Sequence, residues 1–548
     1  MQSGFSVLLS EGKVQIQSFL KEGYDSFHFQ NEGVKILFEG VLLNRKKLLH
    51  DYALSDFQTL IFELYQQKKE RIISEFEGEF RGIIWDKNQK TLVLFTNPTS
   101  TQRIFYGSFN GKFFADSNLI RFSRTLRAEN ITPKPNINGI YQLLCFSGML
   151  ENSTIIENIY KLFDGHYLKI DLNSNTFQEI EYFSTFHEPY LQKSKSEAHQ
   201  MAHEIFSESV KMEYSKDDEY GANHLALLSG GLDSRVAMMY AIQNGFVPDN
   251  ALCFSQSGYL DETISRKIAE DFNLHYEFIP LDGGIFLKEI DALTKISEGL
   301  VFYTGAIHVQ HAMNQLKYQN FKIFHSGQIG DAILGGYLSV PEKQRPTRFK
   351  VIFNPDFFDK VRPYFDDVVK KYDGEEAFLI RNRGYNRLLV GAHAFQQKAY
   401  QTSPFMTKDF LKFSIALPEE WKYNHRFYIE WISKYCPEAT KYVWERTLLR
   451  PNAVWKTVFG DKVMKRIFVK TNEWILKTPQ KSSMYPYQYY FDQSPEIQKY
   501  YADYFTENID RVDAFPELKN DLIRLFAQSD FGRKSQAINV LAIFKLYF

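Results

Sequence analysis

Cysteine is scarce, with only three in 548 residues. Cys145, Cys253 and Cys436 form no C-x-x-C pair. This speaks against a thiolate zinc cluster or a disulfide framework and fits buried thiols in a reducing compartment. An excess of charge of one sign is also lacking, since 65 Lys and Arg oppose 66 Asp and Glu. That balance gives no electrostatic case for nucleic acid or an anionic membrane, although a local patch can hide in it. No run reaches the ~18 apolar residues of a membrane span. The apolar stretch at residues 5–9 is too short for a signal core and has no basic residues before it. The expectation is a cytoplasmic chain without nucleic-acid or membrane partners. Also missing is the Gly-Lys-Ser/Thr that ends a Walker loop. What the chain has in quantity is apolar: 44% hydrophobic and 16% aromatic residues, enough to build the cores of roughly two to four domains.

The chain is organised around Leu225-Ala226-Leu227-Leu228-Ser229-Gly230-Gly231-Leu232-Asp233-Ser234. Four apolar residues suit a buried parallel strand, two glycines a tight turn, and the residues from Asp233 to about Asn244 a helix. Backbone N–H groups at such a helix start form an anion site suited to phosphate. A carboxylate there, Asp233, is out of place unless a divalent cation bridges it to the anion, and carboxylate plus phosphate oxygens is an ordinary magnesium shell. The set Leu228, Ser229, Gly230, Gly231, Leu232, Asp233 and Ser234 is therefore the expected phosphate turn. An ordinary strand-to-helix turn explains two glycines equally well but not the whole S-G-G-L-D-S, which resembles the pyrophosphate loop of ATP pyrophosphatases.

Upstream, residues 1–185 read as β-rich, with strands at 14–19, 34–43, 82–85, 91–95, 103–106 and 112–114 and helices near 57–68 and 137–146. An αββα layered domain is expected. Residues 186–220 form a polar linker and a helix, with Met201, Ile205, Phe206 and Val210 on one face. From 221 to 548 the pattern is first a parallel α/β domain and then a helical, aromatic-rich tail. Ligands of parallel sheets sit beyond the carboxyl ends of the strands. Two further segments fall there. One is Phe254-Ser255 with Asp261-Glu262, for which helix capping is an equal explanation. The other is His325-Ser326-Gly327-Gln328-Ile329-Gly330-Asp331.

These motifs together resemble the asparagine synthetases. Residues 325–337 are similar to that family's S-G-E-G-A-D-E-L-F-G-G-Y. Glu77-Gly78-Glu79-Phe80-Arg81-Gly82-Ile83-Ile84-Trp85-Asp86 resembles a stretch of its glutaminase domain, and residues 113–117 and 155–168 resemble two later ones. The resemblance implies an Ntn-hydrolase-like N-terminal domain followed by an ATP-pyrophosphatase domain. It implies ATP across the glycine turn, bordered by Phe254, Ser255, Ser326 and Gly327, with Mg2+ on Asp233 and Asp331. Lys456 or Arg446 is expected to face the reacting oxygens. Four departures stand out. Position 2 is Gln2 where a working glutaminase exposes a cysteine nucleophile; Glu39 replaces an oxyanion-site Asn; Gln328 replaces the motif glutamate; Ala332 replaces the glutamate after the aspartate. They imply a domain without glutaminase chemistry and a specialised amide ligase, similar to β-lactam synthetases, lasso-peptide cyclases or amidating enzymes of surface-polysaccharide clusters. The expected substrate is a small molecule or peptide offering a carboxylate and an amine, with a pathway partner protein or a homo-oligomer open. An ammonia-dependent asparagine synthetase and a non-catalytic nucleotide-binding scaffold are the alternatives.

Overall fold

A computed structural model describes residues 3–184, 186 and 188–548. Two antiparallel sheets are stacked in the N-terminal third. The first has the strand order β2-β1-β8-β7-β9, built from β1 (Gly4–Ser10), β2 (Lys13–Phe19), β7 (Phe105–Phe109), β8 (Lys112–Asp116) and β9 (Tyr160–Lys161). The second has the order β11-β10-β6-β5-β4-β3, with β3 (Phe27–Gln30), β4 (Val34–Leu42), β5 (Gly78–Asp86), β6 (Thr91–Thr96), β10 (His166–Asp171) and β11 (Thr176–Glu181).

Period-two patterning explains the layers. Phe5, Val7 and Leu9 of β1 meet Leu37, Ile83 and Leu94 between the sheets. Ile36 and Phe38, on the opposite face, pack against helices α1 (Arg45–Asp51) and α2 (Phe57–Lys68). Phe105 and Phe114 pack outward against α3 (Leu119–Ala128) and α4 (Ile137–Phe146). The result is helix, sheet, sheet, helix.

Helix α5 (Lys195–Tyr220) opens with the Ser194–Glu197 capping box and ends at Gly221 with φ +62°, a start and stop written in the residues themselves. The second half of the chain carries a five-stranded parallel sheet ordered β14-β13-β12-β15-β16. Its strands are β12 (Asn223–Leu227), β13 (Asn250–Ser255), β14 (His275–Pro280), β15 (Phe321–His325) and β16 (Tyr400–Thr402). Helices α6 (Leu232–Gln243) and α7 (Leu260–Asp271) follow the first two. The strand order reverses beside β12, so a crevice opens where β12 and β15 end. This is a mixed α/β molecule with a sheet-rich N-terminal part and a parallel sheet with helices after it. Among the described residues, no helix is long and apolar enough to cross a membrane.

Candidate active site

The crevice is a cavity of about 590 Å³ at the carboxyl ends of the parallel strands. Helix α6 begins on its wall with Gly231 as N-cap and no side chain capping it, so its first N–H groups remain open to a ligand. Ser234 Oγ accepts from the Ser229 N–H at 3.1 Å, and Ser229 Oγ from the Gly231 N–H at 3.1 Å, which closes the turn on itself. Arg235, fully buried, donates to the carbonyls of Gly230 and Gly231 and to those of Tyr442 and Val443. It ties the turn to a segment two hundred residues away.

Asp233 and Asp331 meet across the crevice. The Asp331 N–H donates to Asp233 Oδ2 at 2.7 Å, and Tyr428 Oη donates to Asp233 Oδ1 at 2.9 Å. Burial and then the Asp331 charge push the Asp233 carboxyl well above its ordinary range. Burial also raises Asp331, against the pull of Arg446, whose Nη1 lies 3.2 Å from Asp331 Oδ2. Two facing carboxylates, with Arg446 the one arginine ion-paired to them among the described residues and itself shared with Asp461, match the donor set of a hard divalent cation. Gly327 makes this approach possible, because a Cβ there would stand 2.3 Å from the Asp233 carbonyl carbon. Ile329 holds φ +61° on the same wall, a strained conformation for a β-branched residue.

Of the residues expected from sequence, Leu228, Ser229, Gly231, Leu232, Asp233, Ser234, Phe254, Ser326, Gly327, Asp331 and Arg446 all line the cavity. Gly230 and Ser255 sit just behind the lining. The Gly230 N–H donates to Asp261 Oδ1 at 2.7 Å, and Ser255 Oγ donates to the Gln256 carbonyl. Asp261 thus holds the turn from behind, while Glu262 accepts from the Gly258 N–H. Lys456 stands apart from the cavity, with Nζ on Asn452 Oδ1 at 2.8 Å. The lysine that lines it is Lys465, whose Nζ reaches Glu445 Oε1 at 3.0 Å and Tyr259 Oη at 3.1 Å. The two lysines are nine positions apart, and only the path of the helix between them separates their roles. Tyr428 and Asp461 were also missed, since each reaches the site from beyond any local motif, and Glu445 was passed over beside the expected Arg446. An aromatic wall of Phe254, Phe395 and His308 completes the lining. Burial lowers His308 to about 4, so its ring is neutral. Of the tyrosine-rich stretch after 483, Met484 faces the cavity while Tyr485 stacks on His308.

The N-terminal domain carries a different arrangement. Glu39 Oε2 accepts from Arg81 Nε at 2.8 Å across paired strands. Arg81 continues to the Ser3 and Ser117 carbonyls. Cys145 is fully buried, and burial pushes its thiol up to about 12. Cys253 and Cys436 are buried likewise. Gln2 lies outside the described residues.

A two-sheet layered domain is thus followed by a parallel sheet whose glycine turn bears a carboxylate. Residues 5–183 match the glutamine amidotransferase domain family and residues 201–381 match the asparagine synthase family. The chain is a divergent asparagine-synthetase-like protein carrying both domains. It is 21% identical to amidase chry2 of Gibberella zeae over 62% of its own length and 54% of that protein. It is 22% identical to amidase chyE of Penicillium rubens over 62% and 53%. Asparagine synthetase [glutamine-hydrolyzing] 2 of Bacillus subtilis is 25% identical over 58% and 45%. The chain thus spans about half the length of the curated relatives it matches. A solved glutamine phosphoribosylpyrophosphate amidotransferase from B. subtilis overlaps half of this chain at 10% identity and a TM-score of 0.23, too low to carry an argument.

Proposed function

We propose that this protein is an ATP-dependent amide-forming ligase that activates a substrate carboxylate as an acyl-adenylate. The observation that carries the proposal is the meeting of Asp233 and Asp331 at an uncapped helix start. The open N–H groups of α6 receive the ATP phosphates. Asp233 and Asp331 are the residues that would hold Mg2+, which supplies positive charge against the leaving pyrophosphate. The substrate carboxylate attacks the α-phosphorus, so a carboxyl O–P bond forms and pyrophosphate leaves. An amine then attacks the acyl carbon, and AMP departs as the amide forms. Lys465, oriented by Glu445 and Tyr259, faces the oxygens on which negative charge develops. Bringing both reactants into one crevice adds proximity.

The N-terminal domain, in this proposal, does not hydrolyse glutamine. Its described cysteines are buried with raised thiol pKa values, and Glu39 is held by Arg81. The amine is then free ammonia, a small amine or one within the substrate. Gln328 faces the cavity where the family motif has glutamate, which favours a specialised substrate over aspartate. The retained carboxylate pair weighs against a scaffold, because a nucleotide pocket without chemistry has no need of two repelling acids.

The test is ATP turnover by the purified chain with magnesium and a panel of acids and amines, read by phosphorus NMR. AMP and pyrophosphate, dependent on one acid and lost on chelating the metal, are expected. ADP and phosphate would rule out the adenylate, and absence of both turnover and nucleotide binding would favour the scaffold.

A further inference from the structure

Residues 454–475 run as one helix in which α-turns (Val454–Phe459, Lys465–Lys470) alternate with π-turns (Gly460–Met464, Thr471–Ile475). Trp455, Phe459, Val463 and Ile467 recur every fourth residue, and all are exposed, as is Ile475 eight residues on. In a regular helix each such step drifts by about 40°. The wider π-turns rotate the row back, so it stays on one face. Trp474 and Leu476 extend its end. Trp455 is 66% exposed and Trp474 73%, in a chain with six tryptophans. The opposite face is fixed. Thr457, Gly460 and Asn472 are buried, and a Cβ on Gly460 would stand 2.4 Å from the Thr447 carbonyl oxygen. The helix is seated too closely to roll its apolar row inward.

Charge follows the same face. Residues 455–481 hold seven basic and two acidic side chains, against near-neutrality for the whole chain. The ion pairs of this helix use Asp461 and Lys465. Lys462, Arg466, Lys470 and Lys477 are exposed beside the row and make no ion pair among the described residues. Asp461 and Lys465 line the nucleotide cavity, so the row occupies the outer side of that cavity's rim.

We propose that this face docks on an anionic membrane surface. The apolar row enters the interface, Lys462, Arg466, Lys470 and Lys477 meet the headgroups, and the cavity mouth is held at the membrane. Large apolar side chains on one face with lysine and arginine at their margins have the composition of an interfacial helix. Tryptophan at both ends suits the boundary between headgroups and acyl chains. The row is exposed along its length, and a fluid interface accommodates such a row without a preformed groove. The proposal does not depend on which reaction the cavity performs.

Flotation of the full chain with vesicles tests it, using phosphatidylcholine alone or mixed with phosphatidylglycerol. The chain is expected to float with the mixed vesicles only, with weaker binding as salt rises and a blue shift of tryptophan emission. The triple variant Lys462→Glu, Arg466→Glu, Lys470→Glu should lose at least about a hundredfold in binding. The variant Trp455→Ser, Ile467→Ser, Ile475→Ser should lose the emission shift. Thermal melts of both variants matching that of the parent would show that their folds are intact. Equal binding to neutral vesicles, no binding to either, or unchanged binding by the two variants would overturn the proposal. So would retention of an acidic protein on this face with no vesicle binding, which would assign it to a protein partner.

Discussion

Asp233 and Asp331 are 98 positions apart in the chain, yet one carboxylate accepts the other's backbone N–H. Their mutual repulsion predicts opposite effects on stability and activity. Asp331→Asn relieves a like charge beside a buried carboxyl. Its thermal midpoint should therefore not fall, while magnesium-dependent turnover of ATP drops by more than about a hundredfold. A lower midpoint with turnover intact would make the pair a structural feature only. The lysines offer a second comparison. Lys465→Ala should cost about a hundredfold in turnover if its charge faces the reacting oxygens, whereas Lys456→Ala, whose amine rests on Asn452, should stay near the parent rate. Kinetics of the two variants side by side would decide. Nothing local marks Lys465, since Glu445 and Tyr259, its partners, come from other segments.

Elements bring these residues together, and two contacts between elements can be tested. Gly327, just after β15, presses its backbone on the start of α6. Gly327→Ala has no flexible neighbour to displace and should destabilise by about 1–3 kcal/mol, with nucleotide affinity lost through the displaced turn; urea titration and a nucleotide-binding isotherm would show it. The second contact joins β15 to α5. His325 Nε2 pairs with Asp217 Oδ2 at 2.6 Å, and Nδ1 lies 3.7 Å from Glu213 Oε2. Burial alone would lower the imidazole, but Asp217 and Glu213 outweigh it and raise it to about 9. A pKa raised above the unfolded value of about 6.5 stabilises the fold fully below that pH and fades as pH climbs through 9. Unfolding free energy should therefore fall by on the order of 3 kcal/mol between those limits, and His325→Gln should flatten that slope. A parent chain with flat stability over this window would remove the claim. Helices at 57–68 and 137–146 were legible because their apolar period and capping residues agree. β16, three residues long, was not, as it is too short to show a period.

Across the whole molecule, buried ion pairs join the two halves. Arg103 Nη2 lies 2.9 Å from Glu298 Oε2, and Lys216 Nζ 2.9 Å from Asp25 Oδ2, with all four side chains almost fully buried. Such pairs add little net stability, but removing one partner strands a charge. Glu298→Gln should cost about 3–5 kcal/mol and lower the denaturation midpoint of both halves together, read by calorimetry as one shifted transition. An effect confined to one of two separate transitions would mean that the halves unfold independently. The division between sequence and structure follows from range. Strand and helix periods, the capped start of α5, the glycine turn and the two aspartate motifs are local patterns, so the residues alone determined the fold class and the two walls of the cavity built from those motifs. Which lysine faces the cavity, which aspartate braces the turn from behind and which apolar row remains uncovered depend on packing between segments from about twenty to two hundred residues apart, beyond the reach of any local period, and only the tertiary structure decided them.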